Sequence, residues 1–286
     1  MTRILYAAGN RPGANIQLSR FLQRASDFDV YIAAYASHGQ LPTIDWSLDI
    51  FAKETPKETN HLIQNIKKDI IEFAPDLVIS DGEFIIPAIT DELKIPLWSC
   101  SSLHLLDGCA WDHSQIKSRS YLYQTNSLLA SMPKAQYKFA YSPFCDISMR
   151  PILKQGYEWI RPYYESPKVC YESHNIHSQF FNYIRENVSD PNVFFCTGET
   201  SFVADAFYSN KKICINSSAT DPESLLNGFL CEWLGIGYDA GDLNKTNIKY
   251  IKEQIDIFLN KKLKLNISKQ KIQTLDERIK HEIFSS

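Results

Sequence analysis

Residues 192–243, NVFFCTGETSFVADAFYSNKKICINSSATDPESLLNGFLCEWLGIGYDAGDL, decide how the chain is read. The apolar run Val193–Cys196 predicts a buried strand. It ends in a polar turn made of Thr197, Gly198, Glu199, Thr200 and Ser201. Phe202, Val203, Ala206 and Phe207 then recur at helical spacing, and Lys212–Ile215 predicts a second buried strand. Asp221, Pro222 and Glu223 open another helix, with proline in the first turn, where its missing N–H costs nothing. Leu234, Gly235, Ile236 and Gly237 close the stretch in an apolar turn. A polar turn between strand and helix gathers free main-chain N–H groups at the positive end of a helix. That geometry suits a phosphate.

The same alternation runs outward toward the N-terminus. Strands are expected at Arg3–Ala8, Val30–Tyr35, Asp76–Ser80, Pro96–Cys100 and Tyr137–Tyr141, with a weak one at Leu48–Phe51. Helices are expected from about Ile16 to Ala25, Thr59 to Phe73, Phe84 to Leu93 and Phe180 to Asn187. Gly9 to Asn15 reads as a glycine-containing loop, and the stretch from Ser118 to Met132 as largely helical. Short, uniformly apolar strands separated by helices predict an α/β fold with parallel sheets covered on both faces. Two strand–helix halves emerge. Residues 1–162 form an N-terminal Rossmann-like domain and residues 163–243 a compact C-terminal one, with a lysine-rich helical tail over 244–286. Ligands in such sheets sit at the carboxyl ends of the strands, so two facing sheets make a cleft.

Composition narrows the possibilities. The chain has 286 residues and 44% hydrophobic content, enough for sizeable cores. No run of about 18 apolar residues predicts a membrane span, and the N-terminus lacks a signal-peptide pattern. Seven cysteines without a C-x-x-C pair fit buried free thiols in a reducing cytoplasm. The net charge is −3, but the segment from Ser114 to Lys168 carries +5 and many aromatic residues. Basic and aromatic side chains together fit either a nucleic-acid surface or a solvated face over core aromatics.

In this order, the motifs resemble those of the two-Rossmann-domain glycosyltransferases, the GT-B family. They are most similar to the branch related to the cell-wall N-acetylglucosaminyltransferase. The resemblance rests on the turn Thr197–Ser201, the acidic–alanine pair Asp205 and Ala206, the acidic-x-x-x-Asn spacing of Glu223 and Asn227, and Leu234–Gly237. In the first half it rests on Ile4–Gly9 through Gly13 and on PDLVISD at residues 75–81. The sequence departs from the family where Asn15 replaces a histidine that serves relatives as a base, and where Ser209–Lys212 lacks a Gly and a Pro. The donor half is also short, as in a compact, virus-encoded member.

The resemblance implies a nucleoside-diphosphate sugar donor, a uridine one, as co-substrate, with no tightly bound cofactor and no required metal. The main-chain N–H groups of Gly198, Glu199, Thr200 and Ser201 and the two hydroxyls would hold the diphosphate, Asp205 the ribose, and Glu223 and Asn227 the sugar. Gly9, Asn10, Gly13 and Asn15 would form the acceptor-side loop. The acceptor hydroxyl needs a base in the opposite half. Asp81, at the end of a buried strand, ranks first, then Glu83 and His104, with Asp112 and His113 a weaker pair. His174 and His177 stand three apart, but two ligands without a third do not make a metal site.

Three acceptor outcomes follow. The acceptor is a glycan or lipid-linked hydroxyl, or the hydroxymethylated bases of DNA held by segment 114–168, as in phage DNA glucosyltransferases of the same fold. Alternatively, the chain is a nucleotide-sugar epimerase or a non-catalytic, partner-binding subunit.

Overall fold

A computed structural model describes residues 1–9, 12–34, 43–45, 56–82, 85–109, 135–147, 150–167, 171–172, 179–218, 221–243, 246–263 and 271–285. Two parallel sheets dominate. The first comprises β1 (Thr2–Ala8), β2 (Phe28–Ala34), β3 (Thr43–Asp45), β4 (Leu77–Asp81), β5 (Leu97–Ser101), β6 (Tyr137–Tyr141) and β7 (Tyr157–Ile160). Their order across the sheet is β3-β2-β1-β4-β5-β6-β7. The second comprises β8 (Tyr171–Glu172), β9 (Val193–Cys196), β10 (Lys212–Ile215) and β11 (Gly237–Asp239), in the order β11-β10-β9-β8. Every pairing in both is parallel.

The helices are α1 (Pro12–Leu22), α2 (Pro56–Phe73), α3 (Ile85–Leu93), α4 (His104–Gly108), α5 (Gln179–Asn187), α6 (Thr200–Tyr208), α7 (Pro222–Leu234), α8 (Ile248–Asn260) and α9 (Leu275–Ser285). Side chains alternate across a strand, so consecutive residues of β1 serve different layers. Ile4, Tyr6 and Ala8 pack with Leu18 and Phe21 of α1 and with Leu275 and Ile279 of α9. Leu5 and Ala7 pack with Ile66 and Ile70 of α2 and Ile86 and Ile89 of α3. In the second sheet Val193, Phe195 and Cys214 face α5 and α8. Phe194, Cys196, Ile213 and Ile215 face α6 and α7. That last cluster also takes in Leu103, Leu105, Ala140, Phe144 and Ile147 from the first unit, so the two units share a core. Phe144 meets Phe207 edge-on, with ring centroids 5.7 Å apart.

Several boundaries differ from those expected. Helix α1 starts at Pro12, so Gly13 and Asn15 lie in its first turns and not in a loop. A proline at N1 is preset for helix, which outweighs the glycine beside it. Gly237–Asp239 is a strand and not a turn, because it pairs with Ile213–Ile215. Residues 244–286 are not one tail. Helix α8 packs on the second sheet and α9 crosses back to the first. The strand at Leu48–Phe51 and the helix at Ser118–Met132 fall outside the described residues. The six described cysteines are free and buried.

One buried ion pair joins the units. Arg20 of α1 donates from Nη1 to Asp205 Oδ1 at 2.9 Å and from Nη2 to Asp205 Oδ2 at 2.7 Å. Nη1 also donates to the Tyr163 carbonyl at 3.0 Å, and the Glu165 amide donates to Asp205 Oδ1 at 2.7 Å. Gln17 grips the same segment, donating to the Tyr163 carbonyl at 2.9 Å and accepting from its amide at 2.7 Å. Both charged side chains are almost wholly buried. Removing one partner strands the other charge away from water. Arg20→Met is therefore expected to cost roughly 3–5 kcal/mol in urea unfolding. Arg20→Met with Asp205→Leu should recover most of that loss. A loss in the double variant equal to the sum of the losses from Arg20→Met and Asp205→Leu alone would show that the pair is not coupled.

Candidate functional site

The carboxyl ends of β1, β4, β5 and β6 meet the N-terminal ends of α6 and α7 across a cleft. It encloses about 460 Å³ including its open mouth. One wall carries Gly9, Asp81, Gly82, Ser101, Ser102 and Tyr141, and the other Thr200 and Glu223. Gly13, Ala14 and Gln17 of α1 line it between them.

Glycine is required at two tips. A Cβ on Gly9 would fall 2.6 Å from the Gly82 carbonyl oxygen, so strand β1 must end without a side chain to let the β4 turn close over it. The Gly9 N–H donates to the Asp81 carbonyl at 2.8 Å. Gly198 has a φ of +93°, and a Cβ there would fall 2.8 Å from Ser224 Oγ and 2.9 Å from Ile215 Cγ2.

Asp81 closes β4 and is 6% exposed. Its Oδ2 accepts from the Tyr6 hydroxyl at 3.0 Å. Burial, then the neighbouring carboxylate, push the Tyr6 phenol well above its ordinary value, so it stays a donor. His104 does not line the cleft. It is buried with Nε2 2.8 Å from Ser99 Oγ and lies edge-on to Tyr157. Glu83, Asn10, Asp112, His113, His174 and His177 lie outside the described residues.

The turn Thr197–Ser201 does lead into a helix end. Thr200 N–H donates to Glu223 Oε1 at 3.0 Å. Asn227 Nδ2 donates to the Gly198 carbonyl at 2.8 Å and to Thr200 Oγ1 at 3.1 Å. Ser224 Oγ donates to the Thr197 carbonyl at 2.5 Å, and Asp221 caps α7 by accepting from the Glu223 amide at 3.1 Å. Two turns 20-odd residues apart are thus tied into one polar surface. Asp205 stands elsewhere. Its carboxylate, expected to hold the ribose, accepts from Arg20 and from the Glu165 amide between the two units.

Glu199 occupies the N-cap position of α6 with extended backbone (φ −61°, ψ 139°) and makes no side-chain cap. Its carboxylate accepts from the Thr197 hydroxyl. Burial, with repulsion from Glu223 and Asp221, pushes its pKa up to about 7 against the Thr197 bond that lowers it. Among the described residues no group of His, Cys, Asp and Glu could hold a metal ion, and no helix is long and apolar enough to cross a membrane.

Solved structures share this fold. The glycosyltransferase SsfS6 of Streptomyces sp. SF2575 superposes over the whole of both chains with a TM-score of 0.56 at 13% identity. Its complex with thymidine diphosphate gives a TM-score of 0.53 at 14% identity. The UDP-GlcNAc 2-epimerase of Methanocaldococcus jannaschii gives a TM-score of 0.52 at 12% identity, again over both whole chains. The fold is GT-B. By sequence the chain matches no family model and no curated protein.

Within the GT-B frame, Arg20, Gln17 and Tyr6 were not singled out in the sequence. Tyr6 carried one signal, a lone hydroxyl near the carboxyl end of the apolar strand Ile4–Ala8. Arg20 carried none, since a basic residue on an amphipathic helix ordinarily faces water.

The raised Glu199 carboxyl predicts a pH signature. A carboxyl whose folded pKa exceeds its unfolded one is most comfortable below the unfolded value. It loses stability as pH rises from about 4.5 toward about 7. Glu199→Gln keeps the acceptor for Thr197. The variant should gain stability over wild type, by roughly 3 kcal/mol at pH 8, and little at pH 4.5. Thermal unfolding at both pH values checks this, and a pH-independent difference would refute it.

Proposed function

We propose that the chain is an inverting glycosyltransferase that moves a sugar from a nucleoside-diphosphate sugar, a uridine one, to an acceptor hydroxyl. The observation that carries this reading is the cleft itself, with the carboxylate of Asp81 on one wall and the N-terminal end of α6 on the other. Leaving-group charge develops on the diphosphate as the glycosidic bond breaks. The amides of Thr200 and Ser201 at this helix end would meet it once Glu223 gives up the Thr200 amide. Asp81 takes the acceptor proton, held in place by Tyr6. One displacement then inverts the anomeric carbon.

For the acceptor, the described part of the basic aromatic segment favours a glycan or lipid-linked hydroxyl over DNA. Lys138 lies over the Tyr157 ring at 5.3 Å and Arg150 over Trp159 at 5.8 Å. Tyr164 stacks on Tyr208, while Tyr141 and Tyr163 are buried. The two cations and their rings are half-buried and paired with one another, and Tyr164 is exposed but stacked, which leaves less of the described segment to grip a duplex. The epimerase reading draws support from the archaeal neighbour of the same fold.

Mass spectrometry of products after incubation with a panel of nucleotide sugars separates the readings. Glycan, lipid-linked and hydroxymethylated DNA acceptors are supplied in parallel, and an epimerised sugar formed without acceptor would favour the epimerase. Asp81→Asn should lower transfer at least about 10²-fold while donor affinity, read by calorimetry, stays within about threefold. A variant that keeps its transfer rate would remove Asp81 from the chemistry.

A further inference from the structure

We infer that the carboxylate of Glu223 is a built-in stand-in for the donor's phosphate, and that donor binding proceeds by expelling it from the N-terminus of α6. This rests on the reading of that helix end as the diphosphate site.

The geometry starts from two helix ends that converge. Gly13, in the first turn of α1, faces the first turn of α6. The position its Cβ would take lies 3.6 Å from Ser201 Oγ and 3.8 Å from Glu223 Oε1. Each helix end presents a partial positive charge from unpaired N–H groups. The side chain at this junction is Glu223, reaching over from α7 to accept from Thr200 N–H of α6 at 3.0 Å. It is 6% exposed and lines the cleft. An anion is therefore already present at the place where an arriving anion is wanted.

That occupancy is incomplete. Ser201 Oγ is fully buried beside the carboxylate and has no hydrogen-bond partner. Asn227 Oδ1, on the same polar surface, is also buried without one. Natural interiors seldom leave such groups unanswered. A phosphate has enough acceptor oxygens to engage the Thr200 amide and the Ser201 hydroxyl together. The two anions cannot share the position. Both need the Thr200 amide, and like charges repel strongly where water is excluded. Glu199, at the cap of the same helix with its own carboxylate, sharpens that conflict.

The consequence is a threshold. Only a ligand whose remaining contacts outweigh the loss of Glu223 enters the site. A stray inorganic anion does not.

The test compares wild type with Glu223→Gln. Glutamine keeps the shape and the acceptor for Thr200 N–H but removes the charge. By calorimetry, inorganic pyrophosphate and uridine diphosphate should each bind the variant at least about tenfold more tightly than wild type. Equal or weaker binding by the variant would overturn the displacement. A direct sugar contact by Glu223 would leave pyrophosphate affinity unchanged and would overturn it as well. If neither protein binds either probe, the donor-site reading falls and this one with it.

Should the variant fail to fold, wild type still decides. Titrating it with uridine diphosphate, the ¹³C carboxyl signal of Glu223 and the amide signal of Thr200 should move together. A Thr200 shift with a stationary Glu223 carboxyl at saturation overturns the proposal.

Discussion

A guanidinium buried between two domains is the constraint on which the rest of the molecule depends. Arg20 lies on the first helix of the first sheet, and Asp205 on the helix that follows the donor-side turn. Neither charge tolerates burial alone. Their pairing therefore fixes the distance and angle between α1 and α6, and with them the cleft that opens at the ends of both helices. The Glu165 amide and the Tyr163 carbonyl complete the shell around the pair. The crossover strand leaving the first sheet is tied into the same knot. Where interdomain contacts in a two-domain chain are ordinarily polar and loose, this one has a charged centre and an apolar rim built from Phe144, Phe207 and Leu103.

The chemistry of the cleft follows from what that geometry excludes. With α1 and α6 held side by side, their positive termini point at a common volume. Carboxylates line it: Glu223 from one side, Asp81 from the other. The Tyr6 hydroxyl orients Asp81, and the Asn227 amide orients the Gly198 carbonyl and the Thr200 hydroxyl. Apart from Glu223, which yields to the donor, polar groups in this region are mostly held by one another, so the rest of the site is stiff before any ligand arrives. Stiffness of this kind is what electrostatic stabilisation of a developing charge requires.

Much of the architecture was legible from periodicity. Strands such as Ile4–Ala8 and Leu77–Asp81 are apolar at nearly every position because both faces of the sheet are covered. The helix at Pro222 announced itself through Asp221 and the proline, and its capping bond is present. Other features could not be read locally. Strand β11 has three residues, Gly-Tyr-Asp, and owes its existence to a partner strand. The helices after residue 244 share one composition but serve different sheets, a choice that only tertiary packing makes. Asp205 is the instructive case. Its position beside Ala206 fits a sugar-nucleotide contact, yet its partner lies 185 residues upstream, on a helix face with no distinguishing pattern. Of the site, the turn and the strand-end carboxylate were visible. The hydrogen bonds that decide what each group is available for were not.

Helix α9 carries a consequence for how the protein is made. Leu275 and Ile279 belong to the same apolar cluster as Ile4, Tyr6 and Phe21. Tyr163 and Asp276 exchange two hydrogen bonds, hydroxyl to carboxylate at 2.8 Å and amide to hydroxyl at 3.0 Å. On a ribosome, the strands of the first sheet emerge long before these residues do. The part of that face not covered by α1 therefore stays open while the second domain is being synthesised. The last turns of the chain act as a late-arriving lid on its earliest strands. Contacts of such long sequence separation slow folding, and they bind the fate of the first domain to full translation of the second.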